Sequence, residues 1–269
     1  MLNDRLDRLT DYPFQRLTDL LGGPADADCL NLSIGEPQHQ PPAFVRAVLD
    51  ENFHLWGKYP PVPGTPDFRA AVADWLGRRY GLPAGFIDGD RHVLPAAGTR
   101  EALYMIAQVV GSAHKRSLVL LPNPFYQVYA GAAVMAGFEP VFVPADKSTG
   151  FLPDYTALPA KVLDRVALAF YCSPANPQGA VADLEAWKTI IALARRYGFY
   201  LAADECYSEI YDTRPPAGIL QACAALDRGV DNVVVFNSLS KRSSAPGLRS
   251  GFVAGDTKVI AAFSRLRSY

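Results

Sequence analysis

The sequence predicts an α/β fold with a mostly parallel sheet that helices cover on both faces. Short apolar runs alternate with helical stretches after about residue 43, and strands separated by helices pair in parallel within a covered sheet. The chain has 269 residues, 49% of them apolar, which suffices for one large domain or two modest ones. Ordinary apolar content without a heptad or Gly-x-y repeat excludes a disordered chain, a collagen and a coiled coil.

The first 34 residues are predicted to form a short amphipathic helix and then an irregular stretch. The segment from Gly22 to Asp28 is rich in Gly, Pro and Asp, which favours a loop. Pro37 and the proline-rich positions 40–42 cannot continue a helix because proline has no N–H donor. We therefore expect a loop at about residues 35–42.

Beyond this loop, the apolar pattern predicts five helices and six strands. The helices are expected at residues 100–111, 126–136, 184–198 and 257–268, and around a set that shares one helical face: Phe68, Val72, Trp75 and Leu76. The strands are expected at Leu118–Leu121, Pro140–Val143, Val166–Tyr171, Tyr200–Ala203, Val233–Phe236 and Gly251–Ala254. Ligands of such sheets gather beyond the carboxyl ends of the strands, so the polar residues after each apolar run are the candidate functional residues.

The charge balance points to a small-molecule partner. The chain has 26 Lys and Arg against 27 Asp and Glu, a formal net charge of -1. Without a basic excess there is no electrostatic footprint for nucleic acid or an anionic membrane. The charged first 20 residues exclude a signal peptide, and no apolar run approaches the ~18 residues of a membrane span. A soluble protein is expected.

The cysteines and histidines indicate neither a metal site nor a disulfide framework. The four cysteines lie far apart with no CxxC spacing: Cys29, Cys172, Cys206 and Cys223. A reducing cytoplasm fits this usage best. The histidines are scattered as well: His39, His54, His92 and His114. Only His39, near the predicted loop, is a candidate for substrate contact.

Two polar segments follow the third and fourth predicted strands. Asn176 lies between two prolines after Val166–Tyr171; it offers both a donor and an acceptor, although Asn-Pro and Gly also occur in plain turns. Asp204 follows Tyr200–Ala203 directly. A buried carboxylate is costly unless it meets a cation or a hydrogen-bond donor, so Asp204 either faces such a partner or caps a helix.

The segment after Val233–Phe236 carries the densest chemistry. Lys241 has hydroxyls one and three positions before it, and Arg249 follows eight positions later. An amine, hydroxyls and a planar guanidinium form a compact segment that can present a nucleophile and bind an anion. A solvated basic loop would explain neither the serines nor the return to an apolar strand after Arg249.

Two further segments are weaker signals. Gly98 and Thr99 open the helix predicted at 100–111, and a helix N-terminus offers free N–H groups to a phosphate, although Thr99 can equally be a simple cap. Tyr126 follows the strand predicted at Leu118–Leu121, where it either packs in the core or faces a ligand.

Together these segments resemble the fold-type I pyridoxal-phosphate enzymes, specifically the class I and II aminotransferases. The segments stand in the family's order and approximate spacing: Gly98-Thr99-Arg100, Asn176-Pro177-Gln178-Gly179, Asp204-Glu205-Cys206-Tyr207, and Ser238-Leu239-Ser240-Lys241 through Arg249. The resemblance implies a three-layer α/β/α large domain at residues 43–269 that binds pyridoxal 5'-phosphate. It also implies an N-terminal arm with part of a small domain at 1–42, and a homodimer acting on an amino acid and a 2-oxo acid.

The resemblance also implies roles for individual residues. Lys241 would form the Schiff base and shuttle the proton, and Asp204 would keep the pyridine nitrogen protonated. Tyr207 and Asn176 would bond the ring oxygen, and Tyr126 would stack on the ring. The residues expected to bind the phosphate are Gly98, Thr99, Ser238, Ser240 and Arg249. Arg100 is also expected at the cofactor, Tyr59 is expected to reach the phosphate of a partner subunit, and Gly35 is expected to face the substrate.

Within the family, residues 32–39 and 236–247 look most like those of the bacterial N-succinyldiaminopimelate aminotransferases of lysine biosynthesis. The implied reaction exchanges an amino group between N-succinyl-LL-2,6-diaminopimelate and 2-oxoglutarate. Family members carry a C-terminal small-domain segment with an arginine that clamps the substrate α-carboxylate, and this chain stops at Tyr269. We therefore expect the cofactor site to be encoded here and the full substrate clamp to be missing.

Four alternatives stay open. Another class I or II aminotransferase, acting on aspartate, alanine or aromatic amino acids, would share the same cofactor residues. A pyridoxal-phosphate lyase would divert the same carbanion. A noncatalytic cofactor-binding module is disfavoured because residues 1–34 are too short and too weakly basic for a DNA-binding segment. A nicotinamide or nucleotide enzyme is disfavoured because neither GxGxxG nor GxxxxGK[ST] follows any predicted strand.

Overall fold

The computed structural model describes residues 2–10, 12–23, 28–30, 32–111 and 115–269. His114 and most of the loop predicted at Gly22 to Asp28 lie outside these residues. Seven strands form one sheet: β1 (Val93–Ala96), β2 (Leu118–Asn123), β3 (Glu139–Pro144), β4 (Val166–Cys172), β5 (Tyr200–Asp204), β6 (Val233–Ser238) and β7 (Gly251–Gly255). Each of the six predicted strands is present.

The sheet is mostly parallel, as predicted, with strand order β1-β7-β6-β5-β4-β2-β3. Strand β7 is the exception, because it runs antiparallel to both of its neighbours, β1 and β6. A parallel return would need a long crossover, whereas only a short helix and a loop join β6 to β7. The short helix carries Lys241, which therefore lies in the connection between two adjacent strands.

Strand β1 was not predicted from the sequence. It has four residues, including Pro95, and it lies at the edge of the sheet. A proline cannot donate to the ladder and is tolerated on an edge strand, so its sequence does not read as a strand. The described residues contain no strand before Val93. The alternation of strands and helices therefore starts later than residue 43, where the sequence predicted it to begin.

Eleven α-helices occur within the described residues. They are α1 (Pro13–Leu21), α2 (Phe44–Glu51), α3 (Pro66–Tyr80), α4 (Gly89–His92), α5 (Thr99–Val109), α6 (Gln127–Met135), α7 (Ala160–Leu163), α8 (Leu184–Tyr197), α9 (Ile219–Ala224), α10 (Leu239–Arg242) and α11 (Thr257–Leu266). The five helices predicted beyond residue 43 correspond to α3, α5, α6, α8 and α11. None of the eleven is long and apolar enough to cross a bilayer.

Helices on both faces of the sheet bury one core layer each. One layer contains residues of α3, α8 and α9, with Trp187 fully buried. The other contains residues of α5, α6 and α11, with Tyr129 at 1% exposure. This α/β/α arrangement confirms the fold class. By contrast, α1 and α2 contain no buried residue.

Candidate active site

A cavity of about 320 Å³ opens at the carboxyl edge of the sheet. The residues that line it are Thr99, Arg100, Glu101, Tyr126, Asn176, Asp204, Cys206, Tyr207, Ser240, Lys241, Pro246 and Arg249. They come from the end of β5 and the segments that follow β4, β5 and β6, from the segment that leads into β7, from the start of α5 and from the residue before α6. This is where parallel sheets present ligand-binding side chains, and most of the candidates from the sequence meet here.

Lys241 lies in the short helix α10 directly after β6. The Ser238 hydroxyl caps this helix by accepting a hydrogen bond from the Ser240 N–H at 3.1 Å. The Lys241 Nζ donates to the Gly35 carbonyl oxygen at 2.6 Å. The loop predicted at residues 35–42 therefore reaches the cavity through its main chain.

Asp204 ends β5 and is 2% exposed. Its Oδ2 accepts a hydrogen bond from the Tyr129 hydroxyl at 2.6 Å, and its Oδ1 accepts one from the Cys206 N–H at 3.3 Å. Burial raises the pKa of Asp204, and these donors counteract only part of the effect. Within the described chain Asp204 makes no ion pair, so a cation in the cavity would stabilise its ionised form.

Tyr207 and Asn176 lie beside Asp204 on the cavity wall. Burial raises the pKa of the Tyr207 hydroxyl well above its ordinary value, with a smaller contribution from Cys206. The phenol therefore stays protonated at neutral pH and can donate a hydrogen bond. Asn176 supplies an amide on the same wall.

The other end of the cavity is suited to an anion. Helix α5 begins at Thr99 and directs its free N–H groups there. The Arg249 Nη2 donates to the Ala97 carbonyl at 3.0 Å and to a Glu101 carboxylate oxygen at 3.1 Å. A Cβ on Gly98 would lie 2.4 Å from that Nη2, so only glycine allows Arg249 this close to the start of α5.

Arg100 and Tyr126 form a pair on the cavity wall. The Arg100 Nε donates to the Tyr126 hydroxyl at 3.1 Å. The Tyr126 ring meets the Tyr129 ring edge to face, with centroids 5.7 Å apart. This contact fixes the Tyr126 ring against Tyr129, the residue whose hydroxyl donates to Asp204.

Five predicted residues do not line the cavity, and one of them is His39, whose side chain is exposed. Gly98 and Ser238 lie immediately behind it. Gly98 leaves room for the Arg249 guanidinium, and the Ser238 hydroxyl caps α10. Gly35 contributes its carbonyl oxygen. Tyr59 is fully exposed, at 101% of its reference surface, so this chain alone does not bring it to the cavity. Its predicted contact with a partner subunit stays a prediction.

Four residues at the site were not predicted from the sequence: Tyr129, Glu101, Cys206 and Pro246. Tyr129 matters most, because it holds the buried carboxylate of Asp204. It follows Tyr126 at a spacing of three on a predicted helix, which places both rings on one face. This spacing was the available signal, but it did not reveal a contact across 75 positions of sequence.

The side chains at the cavity fit pyridoxal 5'-phosphate. An amine, a buried carboxylate that lacks a cation, and a guanidinium beside a helix N-terminus match its aldehyde, its ring nitrogen and its phosphate. A metal centre is not indicated, since the described residues contain no group of three or more His, Cys, Asp or Glu side chains placed to bind an ion.

Comparison with known proteins agrees with a pyridoxal-phosphate site. The model of the family "Aminotransferase class I and II" matches residues 27–269. An aminotransferase from Neisseria meningitidis Z2491 is 42% identical, with a TM-score of 0.93 over 100% of this chain and 69% of its own. Aminotransferase AspB from Helicobacter pylori 26695 is 37% identical, with a TM-score of 0.89 over 97% of this chain and 68% of its own.

A curated relative is the LL-diaminopimelate aminotransferase of Desulforudis audaxviator, 33% identical over 98% of this chain and 66% of its own. The chain thus spans about two thirds of the length of the relatives it matches.

Proposed function

The chain belongs to the class I and II aminotransferases, a family that depends on pyridoxal phosphate, and we propose that it transfers an amino group between an amino acid and a 2-oxo acid. One observation carries the proposal. The Lys241 amine and the buried Asp204 carboxylate line the same cavity, and Arg249 and the start of α5 lie at its other end.

We assign the cofactor contacts from this arrangement. The phosphate would be held by Thr99, Ser240 and Arg249, and Arg100 would be a further cofactor contact. Gly98 and Ser238 would support the phosphate site indirectly, because Gly98 leaves room for Arg249 and the Ser238 hydroxyl caps α10. Asp204 would face the ring nitrogen, Tyr207 and Asn176 the ring oxygen, and Tyr126 the ring face. The Arg249 fork suits a phosphate better than a lysine would.

When bound, the cofactor supplies an electron sink for the carbanion left by loss of the substrate α-proton. The ionised Asp204 carboxylate would keep a proton on the ring nitrogen, because a negative charge hydrogen-bonded to a base favours the base's charged, protonated form. The Tyr129 hydroxyl holds that carboxylate in place. The Lys241 Nζ accepts the substrate proton and returns it.

For the substrate, we propose a diaminopimelate-type amino acid. The sequence resemblance favours N-succinyl-LL-2,6-diaminopimelate with 2-oxoglutarate. A second candidate is LL-diaminopimelate itself, favoured by the names of relatives from Desulforudis audaxviator and Moorella thermoacetica. Aspartate, alanine and aromatic amino acids are the other amino donors to compare, and a C–S lyase is the competing reaction type.

A donor screen tests the proposal. The purified chain is loaded with pyridoxal phosphate, mixed with each amino donor and 2-oxoglutarate, and assayed for glutamate. Glutamate formed from either diaminopimelate compound supports the proposal, and their relative rates decide between the two. Release of ammonia and a keto acid without glutamate would instead identify a lyase.

We also propose a homodimer in which Tyr59 of each chain reaches the cofactor phosphate of the other. Its support is the full exposure of the Tyr59 side chain within one chain. Sedimentation of the chain with and without cofactor measures the oligomeric state directly. A Tyr59→Phe variant that keeps the dimer but binds cofactor more weakly would support the phosphate contact.

A further inference from the structure

A second buried carboxylate lies directly behind the cavity. Glu205 follows Asp204 in the chain and is 1% exposed. Successive side chains at a strand end point to opposite faces of the sheet. Asp204 accordingly contacts Tyr129 in the core layer of α5 and α6, whereas Glu205 contacts Tyr80 in the core layer of α3.

Glu205 is bound through its side chain to two helices. Its Oε2 accepts a hydrogen bond from the Tyr80 hydroxyl at 2.6 Å, at the end of α3. Its Oε1 accepts one from the Ile219 N–H at 2.6 Å, at the start of α9. Both carboxylate oxygens therefore accept hydrogen bonds, each from a different helix on the face of the sheet that α3, α8 and α9 cover.

The main chain of Glu205 is bound as well. Its N–H donates to the Phe236 carbonyl at 3.0 Å, and its carbonyl accepts from the Asn237 Nδ2 at 3.0 Å. Both partners belong to β6, the strand that leads to Lys241. Four hydrogen bonds thus fix one residue on the strand end that carries Asp204.

We propose that Glu205, held by Tyr80 and Ile219, is a positioning residue that keeps the Asp204 carboxylate directed into the cofactor cavity. The two residues share a peptide plane, which is rigid. A rotation of Glu205 would therefore turn the backbone of Asp204 and lengthen its bond to Tyr129. This inference rests on the proposed function, because it concerns the group that faces the cofactor ring.

Packing alone gives no reason for a carboxylate at this place. Burying a carboxylate is costly, and apolar side chains of similar volume are often more stable in its place. An apolar side chain would, however, leave the Tyr80 hydroxyl and the Ile219 N–H without an acceptor. A glutamate satisfies both donors from one residue, and it does so with directional bonds that restrict the strand end.

The test compares two tyrosine variants of the full chain. Tyr80→Phe removes the hydroxyl that binds Glu205, and Tyr155→Phe is its matched control. Tyr155 is equally buried, lies in the same core layer, and donates to the Phe170 carbonyl at 2.6 Å. Cofactor dissociation constants, the pH midpoint of the bound cofactor's absorbance and the thermal midpoint are measured for both variants and for the wild type.

We expect the two variants to lose similar thermal stability, since each loses one buried hydrogen bond. Tyr80→Phe alone is expected to bind pyridoxal phosphate roughly fivefold more weakly and to shift the pH midpoint by roughly half a unit. Identical binding and pH midpoints for Tyr80→Phe and Tyr155→Phe would overturn the positioning role.

The wild-type result separates this inference from the proposed function. If the wild type develops no absorbance band with pyridoxal phosphate, the proposed function is wrong, and the role of Glu205 is overturned together with it. If the wild type develops the band and only the comparison of variants fails, the proposed function stands and the positioning role alone is wrong.

Discussion

Asp204 is the residue on which the proposed chemistry depends most directly. Asp204→Asn keeps the side-chain volume and an acceptor for the Tyr129 hydroxyl, but it removes the negative charge that faces the ring nitrogen. We expect amino transfer in a single turnover to fall on the order of 10²-fold or more, with a smaller change in cofactor affinity. Tyr129→Phe, which keeps the charge of Asp204, should lower the single-turnover rate by about tenfold or less. Equal rates in Asp204→Asn and the wild type would contradict the role of the carboxylate.

Gly98 is required because Arg249 lies against it. Gly98→Ala would place a Cβ 2.4 Å from the Arg249 Nη2 at a φ of +79°, so both the guanidinium and the backbone must move. We expect cofactor affinity, measured by absorbance titration, to fall roughly tenfold. The control is Gly150→Ala, which has a φ of +63° and nothing within 4 Å. That variant should lose stability through the backbone without losing affinity.

The stability of the fold is expected to depend on the protonation of Glu205. Burial raises the pKa of Glu205 to about 7, although the hydrogen bonds from Tyr80 and Ile219 lower it in part. The unfolded chain releases this proton near pH 4.5 and the folded chain only near 7, so stability falls as the pH rises through that window. The decrease is at most about 3 kcal/mol.

Glu205→Gln removes this titration because the amide stays neutral. Urea unfolding at pH 5 and pH 8 should therefore show the variant gaining stability relative to the wild type as the pH rises. Glu185→Gln, at an exposed carboxylate 76% accessible in its ion pair with Lys188, should follow the wild type at both pH values. A constant difference between Glu205→Gln and the wild type would contradict the raised pKa.

At the scale of elements, the site depends on where strands and helices end. Asp204 is the last residue of β5, and Asn176 and Lys241 follow within a few residues of the ends of β4 and β6. Since these strands are parallel neighbours, their ends meet at one edge of the sheet. Each strand could be recognised as an apolar run followed by polar residues, which is why the sequence predicted this edge of the site.

Helix α8 supports β4 and β5 from behind, and its N-terminal cap is a test of that support. The Asp183 carboxylate accepts from the Ala186 N–H at 2.8 Å, and the helix buries Trp187 completely. Asp183→Ala leaves this N–H without its side-chain partner and should cost about 1 kcal/mol in urea unfolding. Glu185→Ala, which removes only an exposed ion pair with Lys188, should cost less. Equal losses would show that the cap is not what stabilises α8.

For the molecule as a whole, the sequence predicted local features better than distant contacts. The strands and the polar residues after them follow from short-range patterns. The Tyr129 and Tyr80 contacts join residues 75 and 125 positions apart, and no local pattern encodes such pairs. Strand β1 was missed for a different reason, because an edge position tolerates the proline that argues against a strand.

The cofactor should stabilise the whole chain if the cavity binds it in the folded state alone. At a concentration of a hundred times the dissociation constant, pyridoxal phosphate should add about 2.7 kcal/mol. For a domain of this size that is a rise of several degrees in the thermal midpoint, which differential scanning fluorimetry can measure. Pyridoxal without its phosphate should give a smaller rise, because it loses the contacts with Arg249 and the start of α5. Lys241→Ala should also give a smaller rise, since only the phosphate and ring contacts remain. Inorganic phosphate would raise the thermal midpoint as far as pyridoxal phosphate does only if the anion end of the cavity accounts for the whole effect. That result would contradict binding of the cofactor ring at Lys241 and Asp204.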